Sequence, residues 1–101
     1  FEELDLDFDP TQVVRRSASE DTTGMQFVSQ SPGYVIAMHP APRRQYVITL
    51  QGQAEITMGD GTARVFGPGD VVLAEDLTGQ GHITRIIGYI DRISAQISVP
   101  R

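Results

Sequence analysis

Two histidines, His39 and His82, are the residues of this chain best suited to chemistry near neutral pH, and it has no others. An imidazole changes charge at about pH 6.5, so it can take or give a proton under ordinary conditions, and its neutral form ligates transition metals. Gln45 offers a carbonyl oxygen six residues after His39, a neutral donor that holds a divalent ion less well than a carboxylate. Asp76, beside Glu75 and six residues before His82, could orient an imidazole and raise its basicity, or complete a metal shell. Arg44 presents a planar fork that matches a carboxylate or enolate. Its neighbour Arg43 would face the opposite way on a strand, so at most one of the two reaches a common pocket. Thr49 lies four residues from Gln45 and Thr84 two from His82, so on strands each shares a face with its partner. Other chemistries are excluded. No cysteine supplies a thiolate or a disulfide, and all eight basic residues are Arg, so no lysine forms a Schiff base.

The elements that must position these groups are short strands. Met25–Ser29, Tyr34–His39, Gln45–Gln51, Gln53–Met58, Thr62–Phe66, Val71–Ala74, His82–Gly88 and Arg92–Val99 each read as extended, with turn signals at Pro32-Gly33, Gly52, Asp60-Gly61 and Gly67-Pro68-Gly69-Asp70. Asp60-Gly61 predicts a type I′ hairpin turn, with positive φ at both residues. Asp70 reads as turn chemistry rather than as a site residue. Residues 12–23 read as a short strand followed by a loop. No segment carries a helical period. The result expected is an all-β, single-domain barrel over 24–101, preceded by an arm and edge strand over 1–23, with no internal repeat or linker.

The chain has 101 residues and a formal charge of −5, with Glu2, Glu3, Asp5, Asp7 and Asp9 gathered at its start. That balance speaks against binding nucleic acid. No apolar run is long enough to span a bilayer, and no signal-peptide pattern is present, so the expectation is a cytoplasmic protein with no membrane partner. A first residue of Phe1 rather than Met leaves room for an upstream segment. Lys, Asn, Cys and Trp are all missing, a composition that fits a GC-rich bacterial genome.

The run Gly33-YVIAM-His39-Pro-Ala41-PRR-Gln45-YVITLQ-Gly52 resembles the first motif of the cupin superfamily, G-x5-H-x-H-x3,4-E-x6-G. Two ligand positions depart from it: Ala41 stands for the second histidine and Gln45 for the glutamate. The segment Leu77-Thr78-Gly79-Gln80-Gly81-His82 is similar to part of the second motif, G-x5-P-x-G-x2-H-x3-N, with Leu77 for the proline, Ile86 for the asparagine, and Gly69 two residues too far upstream. The resemblance covers about residues 24–99. It implies a double-stranded β-helix, or jelly-roll, barrel of the RmlC-like kind, with His39, Gln45 and His82 facing one interior pocket.

The resemblance implies small-molecule chemistry in that pocket. His39, His82 and Asp76 would be catalytic, and Arg44, Gln45, Thr49 and Thr84 would bind substrate. A divalent Fe, Mn, Ni, Cu or Zn on His39, His82 and Gln45 would support oxygenase or isomerase reactions. The same residues without metal would support acid–base isomerisation, cyclisation or decarboxylation. Substrates expected are keto acids, sugars or polyketide-like enols. The alternative is a non-catalytic module that binds a small ligand. A homodimer is expected because small cupins commonly pair.

Overall fold

The computed structural model describes residues 2–39, 44–74 and 82–100, and these contain nine strands and no helix. They are β1 (Glu2–Glu3), β2 (Gly24–Gln30), β3 (Val35–His39), β4 (Gln45–Gln51), β5 (Gln53–Met58), β6 (Ala63–Phe66), β7 (Val71–Ala74), β8 (His82–Ile87) and β9 (Arg92–Ser98). Val, Ile and Thr recur in them because β-branched side chains suit a pleated surface. The strands form a five-stranded sheet, β1-β7-β4-β9-β2, and a four-stranded sheet, β3-β8-β5-β6. Every pairing is antiparallel. The sheets meet through Ile56 and Phe66 from one and Val72 from the other, with Met58 packed against them.

The chain passes between sheets at both ends of the barrel. At one end β2 crosses to β3, β4 to β5, β6 to β7 and β8 to β9, and each crossing carries a glycine with positive φ: Gly33, Gly52, Gly69 and Gly88. Gly52 has no substitute. A β-carbon there would lie 2.7 Å from the Asp91 carbonyl oxygen and 2.8 Å from Arg92 Cα, both backbone atoms that cannot swing away. At the other end β3 leads to β4 and β7 to β8 through residues 40–43 and 75–81, and β5 turns into β6 within its sheet.

The β5–β6 turn corrects the type I′ expectation. Gly61 has a φ of 89°, but no described non-glycine residue has positive φ, Asp60 included. Gly61 N–H donates to the Met58 carbonyl at 2.9 Å and Met58 N–H to the Thr62 carbonyl at 2.8 Å. This is a three-residue loop with glycine in the left-handed position. Asp60 Oδ1 accepts from Thr62 N–H at 2.9 Å, so the carboxylate closes the turn that its own backbone does not. Residues 12–23 form no strand and their side chains are exposed; only at the end of the segment does Thr23 N–H donate to the Ser98 carbonyl of β9, at 2.8 Å.

Candidate functional site

The inward face of the five-stranded sheet follows from register. Val72, in the core, lies opposite Val47, and Val47 lies opposite Gln96. Residues directly opposite share a face, and alternation carries that face along each strand. Gln45, Val47 and Thr49 of β4 therefore look into the barrel, as do Arg92, Ser94, Gln96 and Ser98 of β9. On the second sheet, His82, Thr84 and Ile86 lie opposite Met58, Ile56 and Ala54, which form the core face of β5. Glu55 lies between them on the outer face.

At the end reached by residues 40–43 and 75–81, Gln45 begins β4 opposite Ser98 and Ala74, and His82 begins β8 opposite Met58. His82 and Gln45 are both half-buried. The backbone of His39 pairs with that of His82 after a register shift in β3, so the two histidine positions are neighbours across the ladder. Thr84 is buried two residues further in, opposite Ile36 and Ile56. Thr49 is buried nearer the other end, where its Oγ1 accepts a hydrogen bond from Arg92 Nη2 at 3.1 Å. Arg44 is half-buried, and its Nη1 donates to the Pro100 carbonyl at 3.2 Å, a contact with the chain's own C-terminal segment. Asp76, with Glu75, Ala41 and Arg43, lies outside the described residues.

The described residues contain no group of three His, Cys, Asp or Glu side chains able to hold a metal ion. Their donors at this end are one imidazole and one neutral carboxamide, bordered by Ala74, Ser98 and Met58. A catalytic metal takes about three protein ligands, and carboxylate or imidazole suits it better than an amide. The described donor set does not fit a transition metal by itself.

Strand β9 holds what sequence reasoning missed. Its apolar residues, Ile93, Ala95 and Ile97, face outward with Tyr46, Ile48 and Leu50, while its polar residues face the interior. The arm crosses that outer face, where the Tyr46 hydroxyl donates to a Glu20 carboxylate oxygen at 2.6 Å. Ser94 is 0% exposed and Arg92 4% exposed. Alternation of Arg, Ser, Gln and Ser was visible in the sequence, but a polar alternate face ordinarily turns to solvent.

The architecture matches solved structures along most of its length. A cupin 2 conserved barrel domain protein from Salinispora arenicola aligns over 98% of this chain and 73% of its own, with a TM-score of 0.61 and 19% identity. A conserved protein with a double-stranded β-helix domain from Klebsiella pneumoniae aligns over 86% and 83%, with a TM-score of 0.61 and 27% identity. The chain has a cupin-superfamily fold. A cupin superfamily protein from Desulfitobacterium hafniense gives the same architecture at 22% identity and a TM-score of 0.55, over 95% of this chain and 84% of that one. No protein-family profile matches the sequence, and no curated protein matches it either. Within that fold, the chain places Gly33 and Gly52 at two of the sheet crossings, and Gln45 and His82 at strand starts on the opposite end.

Proposed function

We propose that this cupin domain binds a small oxygenated organic molecule inside its barrel at the His82 end, and that His82 and His39 move protons on it. The observation that supports the reading is the polar interior. Gln45, His82, Thr84, Gln96 and Ser98 face inward on this side of the barrel, where an aliphatic lining would favour stability alone. Half-buried polar groups such as Gln45 and His82 can exchange their present contacts for a ligand's oxygens, so a wall of them suits a polar occupant. Keto acids, sugars and enols carry the oxygens such a wall would bind. The neutral donor set favours metal-free proton transfer over metal chemistry. An imidazole removes a proton from the carbon next to a carbonyl, an enolate forms, and the proton returns at a different atom in an isomerisation or at the same atom in simple exchange. Asp76 would orient the imidazole, and Gln45, Thr84 and Arg44 would hold substrate oxygens.

The test is deuterium exchange. Small keto acids and ketoses incubated in heavy water with the protein should gain deuterium next to the carbonyl, and His82→Ala should abolish the gain while unfolding as cooperatively as wild type. Binding without exchange would leave the non-catalytic ligand-binding reading. Neither binding nor exchange across the panel would end both. Elemental analysis of the two proteins separates the metal reading: near-stoichiometric transition metal that vanishes in His82→Ala would overturn metal-free chemistry.

A further inference from the structure

Arg92 is a cation with no anion among the described residues. It starts β9, faces the barrel interior and is 4% exposed. It makes two side-chain hydrogen bonds, both to neutral oxygens: Nη1 donates to Gln30 Oε1 at 3.3 Å and Nη2 to Thr49 Oγ1 at 3.1 Å. Nε has no partner among the described residues, and neither has the hydroxyl of Ser94, two residues along the same face. Carboxylates nearby in the chain do not answer it. Asp70 accepts from Gly67 N–H at 2.8 Å within its own turn, and Asp91 is exposed. Burial holds the Arg92 guanidinium below its ordinary pKa, the direction expected of a charge taken out of water without a counter-ion. A chain under pressure only to be stable would gain by an aliphatic residue here, because an uncompensated interior charge works against folding.

Beside it is a cleft of about 440 Å³ at the corner where β2 passes to β3, lined by Val28, Ser29, Gln30, Ser31, Tyr34 and Ile36. Gln30 belongs to both: it lines the cleft and bonds Arg92. At 3.3 Å that bond is longer than the usual range for N–H···O, and its acceptor is neutral. A carboxylate oxygen in place of Oε1 would make a shorter, charge-assisted bond and could engage the guanidinium through two oxygens.

We propose that the glycine-crossing end of the barrel holds a second ligand site, for a small organic carboxylate with an apolar tail: the tail against Val28, Tyr34 and Ile36, the carboxylate on Arg92 in place of Gln30, with the Ser94 hydroxyl beside it. This site is separate from the one at His82. Arg92 and Ser98 stand six residues apart on β9, roughly 20 Å at the strand rise, and Ser98 is the residue opposite Gln45.

Isothermal titration calorimetry with hexanoate, hexan-1-ol and inorganic phosphate tests it. Wild type should bind hexanoate, with hexan-1-ol and phosphate weaker by about tenfold or more, since each lacks either the charge or the tail. Arg92→Met should lose hexanoate affinity by a similar factor, and His82→Ala should keep it. Circular dichroism checks that Arg92→Met is folded. Should it not fold, Gln30→Leu is the second variant; it leaves an apolar side chain at the corner, and hexanoate should then bind at least as well as in wild type while still outcompeting hexan-1-ol. No binding to wild type, equal binding to folded Arg92→Met, loss of binding in His82→Ala, or phosphate binding as well as hexanoate would each overturn the assignment.

Discussion

The two ends of this barrel solve different problems. At one, four strand crossings turn on glycines with positive φ, and a buried arginine behind Gly52 bonds the neutral side chains of Gln30 and Thr49. At the other, Gln45 and His82 open their strands half-exposed beside the two connections that carry the remaining candidate residues. The first end is fixed by backbone geometry: the close approach of the Asp91 and Arg92 backbone leaves no room for a side chain at Gly52. The second end is fixed by register alone, which sets where the functional groups begin but demands little of their identity. The lesson is that a substitution at the crossing glycines should be felt in stability and one at His82 in ligand chemistry.

Gly52→Ala is the strongest way to test that division. It combines a left-handed backbone with backbone contacts below 3 Å, so a loss of roughly 3 kcal/mol or more is expected in urea denaturation. Gly33→Ala shares the positive φ but meets nothing within 4 Å, so about 1 kcal/mol is expected. Equal losses would show that φ, and not close approach, governs this end.

Next in size is a pair of opposite sign around Arg92. Thr49→Val removes one of its two acceptors and should cost about 1–3 kcal/mol, because the guanidinium stays buried with less to bind. Arg92→Met removes the charge itself and should leave stability unchanged or raise it. A large loss in Arg92→Met, with Thr49→Val neutral, would mean that the arginine holds the fold together through packing.

His82→Ala sharpens the other side. The side chain is half-buried, so a change of about 1 kcal/mol or less in unfolding free energy is expected together with loss of deuterium exchange. A loss comparable to Gly52→Ala would make His82 a structural residue and erase the distinction between the ends.

The smallest effect belongs to Asp60, at the hairpin on the His82 end. Bonds from the Thr62 backbone and side chain lower its pKa below 3.8. A lowered folded-state value stabilises the ionised form, so the contribution is present above the unfolded pKa and disappears as pH falls through the folded one. Asp60→Ala should therefore differ slightly from wild type at pH 7, and the difference should fade as pH falls below the ordinary carboxylate range; a difference that persists once Asp60 is protonated would assign the effect to the turn backbone instead.

Several parts of this picture were legible in the chain. Gln45–Gln51, Gln53–Met58 and Val71–Ala74 are strands with the bounds the sequence suggests, because β-branched runs between glycine turns leave few alternatives. The type I′ expectation at Asp60-Gly61 failed because an Asp–Gly pair also suits a longer loop, where the Asp caps a neighbouring N–H. Candidate pocket residues on alternating positions, Gln45 with Thr49 and His82 with Thr84, do share the inward faces. Arg92 was not singled out, because nothing local distinguishes it from a solvated strand residue.

The sequence by itself determined the all-β class, the strand succession, the glycine corners and the motif frame that marks a cupin barrel. These are local matters of φ, side-chain branching and spacing. Only the tertiary structure decided which face of β9 is inside. Alternation has two solutions, and hydrophobicity alone would have turned Ile93, Ala95 and Ile97 inward. Pairing with β4 sets the register instead, and the arm that meets Tyr46 covers part of the apolar side from without. Beside its apolar core the barrel is therefore left with a polar inward face on β9 and a buried arginine, because strand pairing over many residues outweighs the burial preference of a few.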